Sequence, residues 1–156
     1  MHLHRYERIW LVIGSATLLA FLAVLAVQTF ALGLAPPSDL GQACLTSPDE
    51  LAPPYNQPGL YPVGENEYDL VMVSYAFGFD PGTVEVPAGA KINIKATSKD
   101  VVHGLQIPGT NANMMLMPGH ANVVSTTFDK PGEYLILCNE YCGIGHQAMM
   151  AKIIVK

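Results

Sequence analysis

The stretch EVPAGAKINIKATSKDVVHGLQI, residues 85–107, decides how the rest of the chain is read. From Lys91 to Ala96 polar and apolar side chains alternate: Ile92, Ile94 and Ala96 fall on one side, and Lys91, Asn93 and Lys95 on the other. Successive side chains of an extended chain point to opposite faces, so a period of two marks a strand with one face buried. Pro87-Ala88-Gly89 punctuates the chain just before this run, and VVHGLQI after it is again rich in β-branched and apolar residues.

The same texture continues in both directions. YDLVMVSYAF (68–77) and TVEV (83–86) lie upstream, and NVVSTTF (122–128), EYLILC (133–138) and MAKIIVK (150–156) lie downstream. Asp80-Pro81-Gly82, Pro108-Gly109, Pro118-Gly119 and Pro131-Gly132 separate the runs with turn-forming pairs. Short strands broken by regular turns predict an all-β sandwich or barrel over residues 67–156. No longer internal repeat is visible.

Upstream of Glu67 the character changes. Residues 36–66 hold seven of the twelve prolines and read as an extended linker, because proline removes a backbone donor and is poorly placed in a helix or a central strand. Before it, residues 9–35 form an uncharged, mostly apolar run of 27 residues. A bilayer core needs roughly 20 such residues in a helix, whereas the apolar core of a cleaved leader has about 7–15. The run is therefore expected to be an uncleaved transmembrane helix. Arg5 and Arg8 precede it and Asp39, Asp49 and Glu50 follow, so the positive-inside rule puts residues 1–8 in the cytoplasm and residues 36–156 outside, across the cell's inner (plasma) membrane. The outer part carries twelve acidic residues against six lysines. That balance repels nucleic acid and could steer a basic protein partner.

The chemistry is concentrated in CNEYCGIGHQAM, residues 138–149. Cys138, Cys142, His146 and Met149 follow one another at intervals of three or four, with Gly143 and Gly145 allowing a tight loop. Structural zinc favours four Cys or His ligands with closer cysteine spacing, and a thioether suits zinc poorly. Thiolate, imidazole and thioether together point to copper. A mononuclear blue-copper site uses one cysteine, two histidines and a weak methionine, so this loop has a cysteine to spare. Two thiolates can instead bridge two copper ions, each completed by one histidine and one weak ligand. The second imidazole must come from elsewhere, and His103, in a strand-like segment, is preferred over His120 in the turn MPGHAN. Met114, Met115 and Met117 read as adaptable packing. Cys44 stands alone in the linker and is read as a free thiol.

These residues resemble subunit II of the haem–copper cytochrome c oxidases, whose dicopper CuA loop CNEYCGIGHQAM matches closely. The likeness extends to VVHG (101–104), YAFGFDP (75–81), PGEYLILC (131–138) and the single N-terminal anchor. One span and a compact length look like the B-family of these oxidases. The resemblance implies a cupredoxin-like Greek-key β-barrel. It also implies that Cys138 and Cys142 bridge both coppers, with His103 and Met149 completing one and His146 and the Glu140 carbonyl the other. The close B-family pattern tends to have Gln where this chain has Glu140. A Glu at that place in the A-family also reaches magnesium at the subunit I interface, which makes Glu140 a candidate magnesium ligand.

The implied role is one-electron transfer from a cytochrome c donor to haem in subunit I, where oxygen is reduced to water. The segment Tyr75, Ala76, Phe77 and Phe79 is the implied point of electron entry, and its alternation suggests a common inward face for the three aromatics. Three other readings use some of the same residues: an electron-entry subunit of a nitric oxide reductase, a membrane-anchored copper delivery protein, and a thiol–disulfide protein. Retention by five side chains argues against delivery, and CxxxC is not the usual redox spacing.

Overall fold

The computed structural model describes residues 4–32, 38–42, 45–47 and 50–156. The chain falls into two compact units, Met1–Ala35 and Pro36–Lys156.

The first unit is a helix, α1 (Arg5–Ala26), continued by a single π-helical turn over Val27–Ala31. The backbone N–H of His4 donates to Glu7 Oε2 at 2.9 Å, satisfying one of the donors a helix start leaves free. The apolar helix, Arg5–Ala31, is 27 residues long, begins four residues before the expected span, and has every described side chain exposed. At 1.5 Å per residue it is about 40 Å long, enough to cross a hydrocarbon layer of about 30 Å.

The second unit is built of strands. In chain order they are β1 (Ser38–Gln42), β2 (Leu45–Ser47), β3 (Glu50–Leu51), β4 (Gly59–Gly64), β5 (Glu67–Tyr75), β6 (Gly78–Asp80) and β7 (Thr83–Val86). They continue with β8 (Lys91–Ser98), β9 (His103–Gln106), β10 (Asn113–Leu116), β11 (His120–Thr127), β12 (Gly132–Leu137) and β13 (Met150–Val155). One sheet runs β1-β11-β8-β5-β4 with β6 hairpinned onto β5; the other runs β10-β9-β12-β13-β7. Strands β2 and β3 form a small pair of their own. Most neighbours are antiparallel, but β5 with β8 and β13 with β7 are parallel. This is the expected all-β, cupredoxin-like Greek-key class, with its strands grouped in two sheets.

The alternation in β8 does what its pattern predicts. Ile92, Ile94 and Ala96 are fully buried in a core shared with Leu70 and Met72 of β5 and with Leu105, Leu116, Ile136 and Ile153 of the other sheet. Phe128 and Tyr134 meet edge to face at 4.8 Å within or against this core. On the opposite face Lys91 pairs with Glu67 at 2.8 Å and Lys95 with Asp69 at 2.5 Å, across the parallel β5–β8 register.

Part of the Pro-rich segment, read as an extended linker, is extended in strands that join the first sheet. Strands β1 and β4 belong to the first sheet, and both are its edges. An edge strand needs only half of its backbone donors, so Pro62 sits opposite Tyr68 in β4 at no cost to the ladder. Leu51 and Tyr55 also bury themselves against Val71, Val73 and Ala121, forming a second small core. Cys44 lies outside the described residues.

Candidate metal centre

His103 opens β9, whose register pairs it with Leu116 of β10, and it has no solvent exposure. The turn before it is tightly wired. Ser98 Oγ donates to the Val101 carbonyl at 2.5 Å, and the Asp100 carboxylate then serves three donors. Asp100 Oδ1 accepts from the Val101 N–H at 2.7 Å and faces His103 Nε2 at 2.8 Å, while Oδ2 accepts from the Ala76 N–H at 2.6 Å. Burial pushes the Asp100 carboxyl up, but the hydrogen bonds from His103, Val101 and Ala76 outweigh it and hold the group below its ordinary value. With Nε2–H given to a carboxylate, the imidazole keeps Nδ1 as a free donor atom, the arrangement by which neighbouring carboxylates orient metal-binding histidines.

The loop 138–149 connects β12 to β13. It is closed by the Leu137–Met150 pair and by the Cys138 N–H donating to the Met149 carbonyl at 3.3 Å. A short 3₁₀ turn, His146–Ala148, follows Gly143 and Gly145, and backbone N–H groups of His146, Ala148 and Met149 close it on carbonyls three residues back. This winding brings the side chains together. Cys138 Sγ and Cys142 Sγ lie 3.8 Å apart. Cys138 Sγ is 3.9 Å from His103 Nδ1 and 3.2 Å from the Glu140 carbonyl oxygen. Cys142 Sγ is 3.6 Å from both His146 Nδ1 and Met149 Sδ.

His103, Cys138 and Cys142 offer ligand atoms all within 4.8 Å of one another. Met149 is buried and the adjacent Met150 is half exposed, so the strand register selects the former as the inward thioether. His120 opens β11 in the other sheet, its carbonyl taken by Thr97 Oγ1, and is not a member of this group. Met114 is in the core, whereas Met115 and Met117 are exposed.

The donor set fits copper. A sulfur–sulfur gap of 3.8 Å is far wider than the roughly 2.05 Å of a disulfide, and two metal–thiolate bonds of about 2.3 Å span it. Without metal, burial and the hydrogen bond and charge of Cys138 push the Cys142 thiol up to about 11. A cation bound there would stabilise the Cys142 thiolate.

The aromatic segment corrects one expectation. Tyr75, Phe77 and Phe79 do not share an inward face: Tyr75 and Phe77 are exposed, and Phe79 is buried. The chain reverses at Ala76-Phe77 between β5 and β6, pairing Tyr75 with Gly78, so alternation along one strand does not apply. Phe77 lies instead against the metal loop. A methyl group added at Gly145 would stand 2.5 Å from Phe77 Cγ, and one at Gly143 would stand 3.0 Å from Phe77 Cε1. Tyr141, at the tip of the loop and 80% exposed, tilts over His146 with ring centres 5.8 Å apart. Asp100 escapes the sequence reading. Its only signal is an acid three residues before a histidine at a strand start, in the polar turn SKD.

Fold and donor set together define a cupredoxin-like copper domain that follows a single apolar helix, the layout of a single-pass membrane subunit. Residues 70–156 match the family model for the periplasmic domain of cytochrome c oxidase subunit II. Over 155 residues the chain is 40% identical to a cytochrome c oxidase subunit 2 of Thermus thermophilus, covering 97% of this chain and 92% of that one. A second Thermus thermophilus cytochrome c oxidase subunit 2 is 50% identical over 93 residues, 60% of this chain and 69% of that one. The chain therefore belongs to the cytochrome c oxidase subunit II family. A chain in the cryo-EM structure of a heme–copper terminal oxidase dimer superposes with a TM-score of 0.81 at 34% identity, covering 97% of this chain and all of that one. The periplasmic domain of subunit II of the Bradyrhizobium japonicum oxidase shares the fold, with a TM-score of 0.53 at 20% identity over 56% of this chain and 83% of that one. The chain is thus a subunit of an oxidoreductase complex, with subunit I of the heme–copper oxidase as its partner.

Proposed function

We propose that the cluster is a dinuclear CuA centre that takes single electrons from a cytochrome c and passes them to haem in subunit I. One observation carries this reading: two thiol sulfurs 3.8 Å apart, each with its own imidazole, His103 beside Cys138 and His146 beside Cys142. Cys138 and Cys142 would hold both ions between them. His103 and Met149 would complete one, and His146 and the Glu140 carbonyl the other. Bound there, the copper pair supplies reversible one-electron chemistry.

The protein's own part is to hold the ligands still. His103 is fixed by Asp100 and by complete burial, and the loop is closed by the β12–β13 ladder. Little then has to move when the charge changes, which keeps transfer fast at small driving force. Electrons would enter at Tyr75–Phe79, because Phe77 lies on the loop glycines and Ala76 is tied through Asp100 to His103. The donor docks there briefly, through apolar contact with weak steering. The helix Arg5–Ala31 would sit in the lipid of the plasma membrane with the N-terminus in the cytoplasm. Glu140 is also offered as a magnesium ligand at the subunit I interface, tested by magnesium analysis of the whole complex with Glu140→Gln.

The test is copper content and electron paramagnetic resonance of the full chain loaded in detergent. Two coppers per chain with one unpaired electron spread over both nuclei are expected. One copper with a four-line signal would overturn the dinuclear reading.

A further inference from the structure

The two halves of the metal centre come from segments 35 residues apart, His103 on β9 and the remaining ligands on the loop 138–149. Something must fix the distance between them. The strands themselves meet where Leu137 of β12 pairs with Gln106 of β9; within the loop, Asn139, the residue after the first cysteine, reaches both β9 and β10. A methyl group built at Gly104, next to His103, would collide with Asn139 Oδ1 and stand 2.9 Å from the Glu140 nitrogen. The amide of Asn139 therefore occupies the place where any other residue at 104 would put its side chain. From there Asn139 Nδ2 donates to Asn113 Oδ1 at 3.1 Å. Asn113 belongs to β10, and its register partner on β9 is Gln106.

We infer that Asn139 is a positioning residue that latches the copper loop onto the β9–β10 hairpin. It holds Cys138 and the Glu140 carbonyl at a fixed distance from His103, with Gly104 as the recess that admits it. The residue touches no ligand atom and acts only through the loop backbone. The inference deepens the copper reading without depending on it, because the latch is a property of the metal-free chain too.

Amide hydrogen exchange of residues 138–149 in the full metal-free chain tests the latch directly. Asn139→Ala removes a single side-chain hydrogen bond, and exchange in the loop should speed up by about tenfold while the β8 core is unchanged. Asn139→Asp keeps the shape and lets the Asn113 amide turn to donate, so it should stay near the wild-type rate. Gly104→Ala should loosen the loop as Asn139→Ala does, and the double variant should be looser than either single one by less than the product of the two effects. In the copper-loaded chain, Asn139→Ala should release copper to a chelator several-fold faster and alter the copper hyperfine pattern. Wild-type exchange in Asn139→Ala, or fully multiplicative effects in the double variant, would refute the latch. A wild-type chain that fails to take two coppers while Asn139→Ala still loosens the loop would instead strike the copper reading and leave the latch standing.

Discussion

Neutralising Asp100 should raise the reduction potential of the copper centre and destabilise the metal-free domain, and both effects can be worked out from the same three contacts. The carboxylate faces His103 Nε2 at 2.8 Å. Adding the width of the imidazole and a metal–nitrogen bond of about 2.0 Å puts the charge roughly 7 Å from the nearer ion. At that distance, with an effective dielectric constant between about 20 and 80, Coulomb's law gives about 0.6–2.4 kcal/mol. For one electron this is roughly 25–100 mV. A negative charge favours the more positive oxidised state, so Asp100→Asn should raise the potential by an amount in that range. The lower part is expected, because the side chain is 35% exposed and water screens it. The second effect is geometric. One carboxylate oxygen serves His103 and Val101 and the other serves Ala76. An amide has only one oxygen, so either orientation points its NH2 at a donor. An unsatisfied donor costs about 1–3 kcal/mol. Spectroelectrochemical titration of the loaded chain and thermal melts of the metal-free chain measure the two effects separately. A potential that stays put or falls, together with an unchanged melt, would show that Asp100 neither orients His103 nor is felt at the metal. The pH dependence adds a check on sign. Asp100 is held below its ordinary value, so its contribution is present above the unfolded carboxyl pKa and fades as pH falls through the folded one. The stability gap between wild type and Asp100→Asn should therefore close in acid.

Other outcomes follow from the loop. Gly145→Ala places a methyl group 2.5 Å from Phe77 Cγ, and forcing the two apart should cost about 1–3 kcal/mol. Phe77→Ala in the same chain should relieve most of that cost, and paired thermal melts decide it: a wild-type melt for Gly145→Ala would mean that Phe77 does not rest on the loop. The Cys142 thiol, pushed up to about 11 by burial and by Cys138, is protonated at neutral pH, so copper must expel its proton. Apparent copper affinity should rise between about pH 6 and pH 8, by about tenfold per unit for each proton expelled. Competition titrations at the two pH values measure this, and equal affinities would refute it.

The sequence carries the ligands further than their supports. Ile92, Ile94 and Ala96 declare the buried face of β8 because period-two patterning is local, and the candidate metal donors stand out because four of them crowd into one loop. His103 can be chosen over His120 because it lies in a strand-like run and His120 in a turn. Asp100 stays hidden because its importance lies in reaching Ala76, 24 residues away, and no local pattern encodes that contact. Phe77 reads onto the wrong face because Tyr75, Ala76 and Phe77 look like one strand, whereas the chain turns back between them. The strands β1 and β4 are only half legible, because proline excludes a helix or a central strand and only the finished sheet shows that these two are its edges.

The position of β13 bears on when the centre can mature. This strand follows the metal loop in the chain, yet it lies between β12 and β7, and it is the strand on which β7 pairs. Until β13 docks, the loop is anchored at one end only and nothing forces His146 and Met149 back toward Cys142. During that interval the two cysteines are an ordinary, unshielded thiol pair on a tether. In an oxidising compartment such a pair is free to close to a disulfide. Docking of β13 is therefore what turns two loose thiols into a site, and a chain whose β13 is unpaired would leave them open to oxidation.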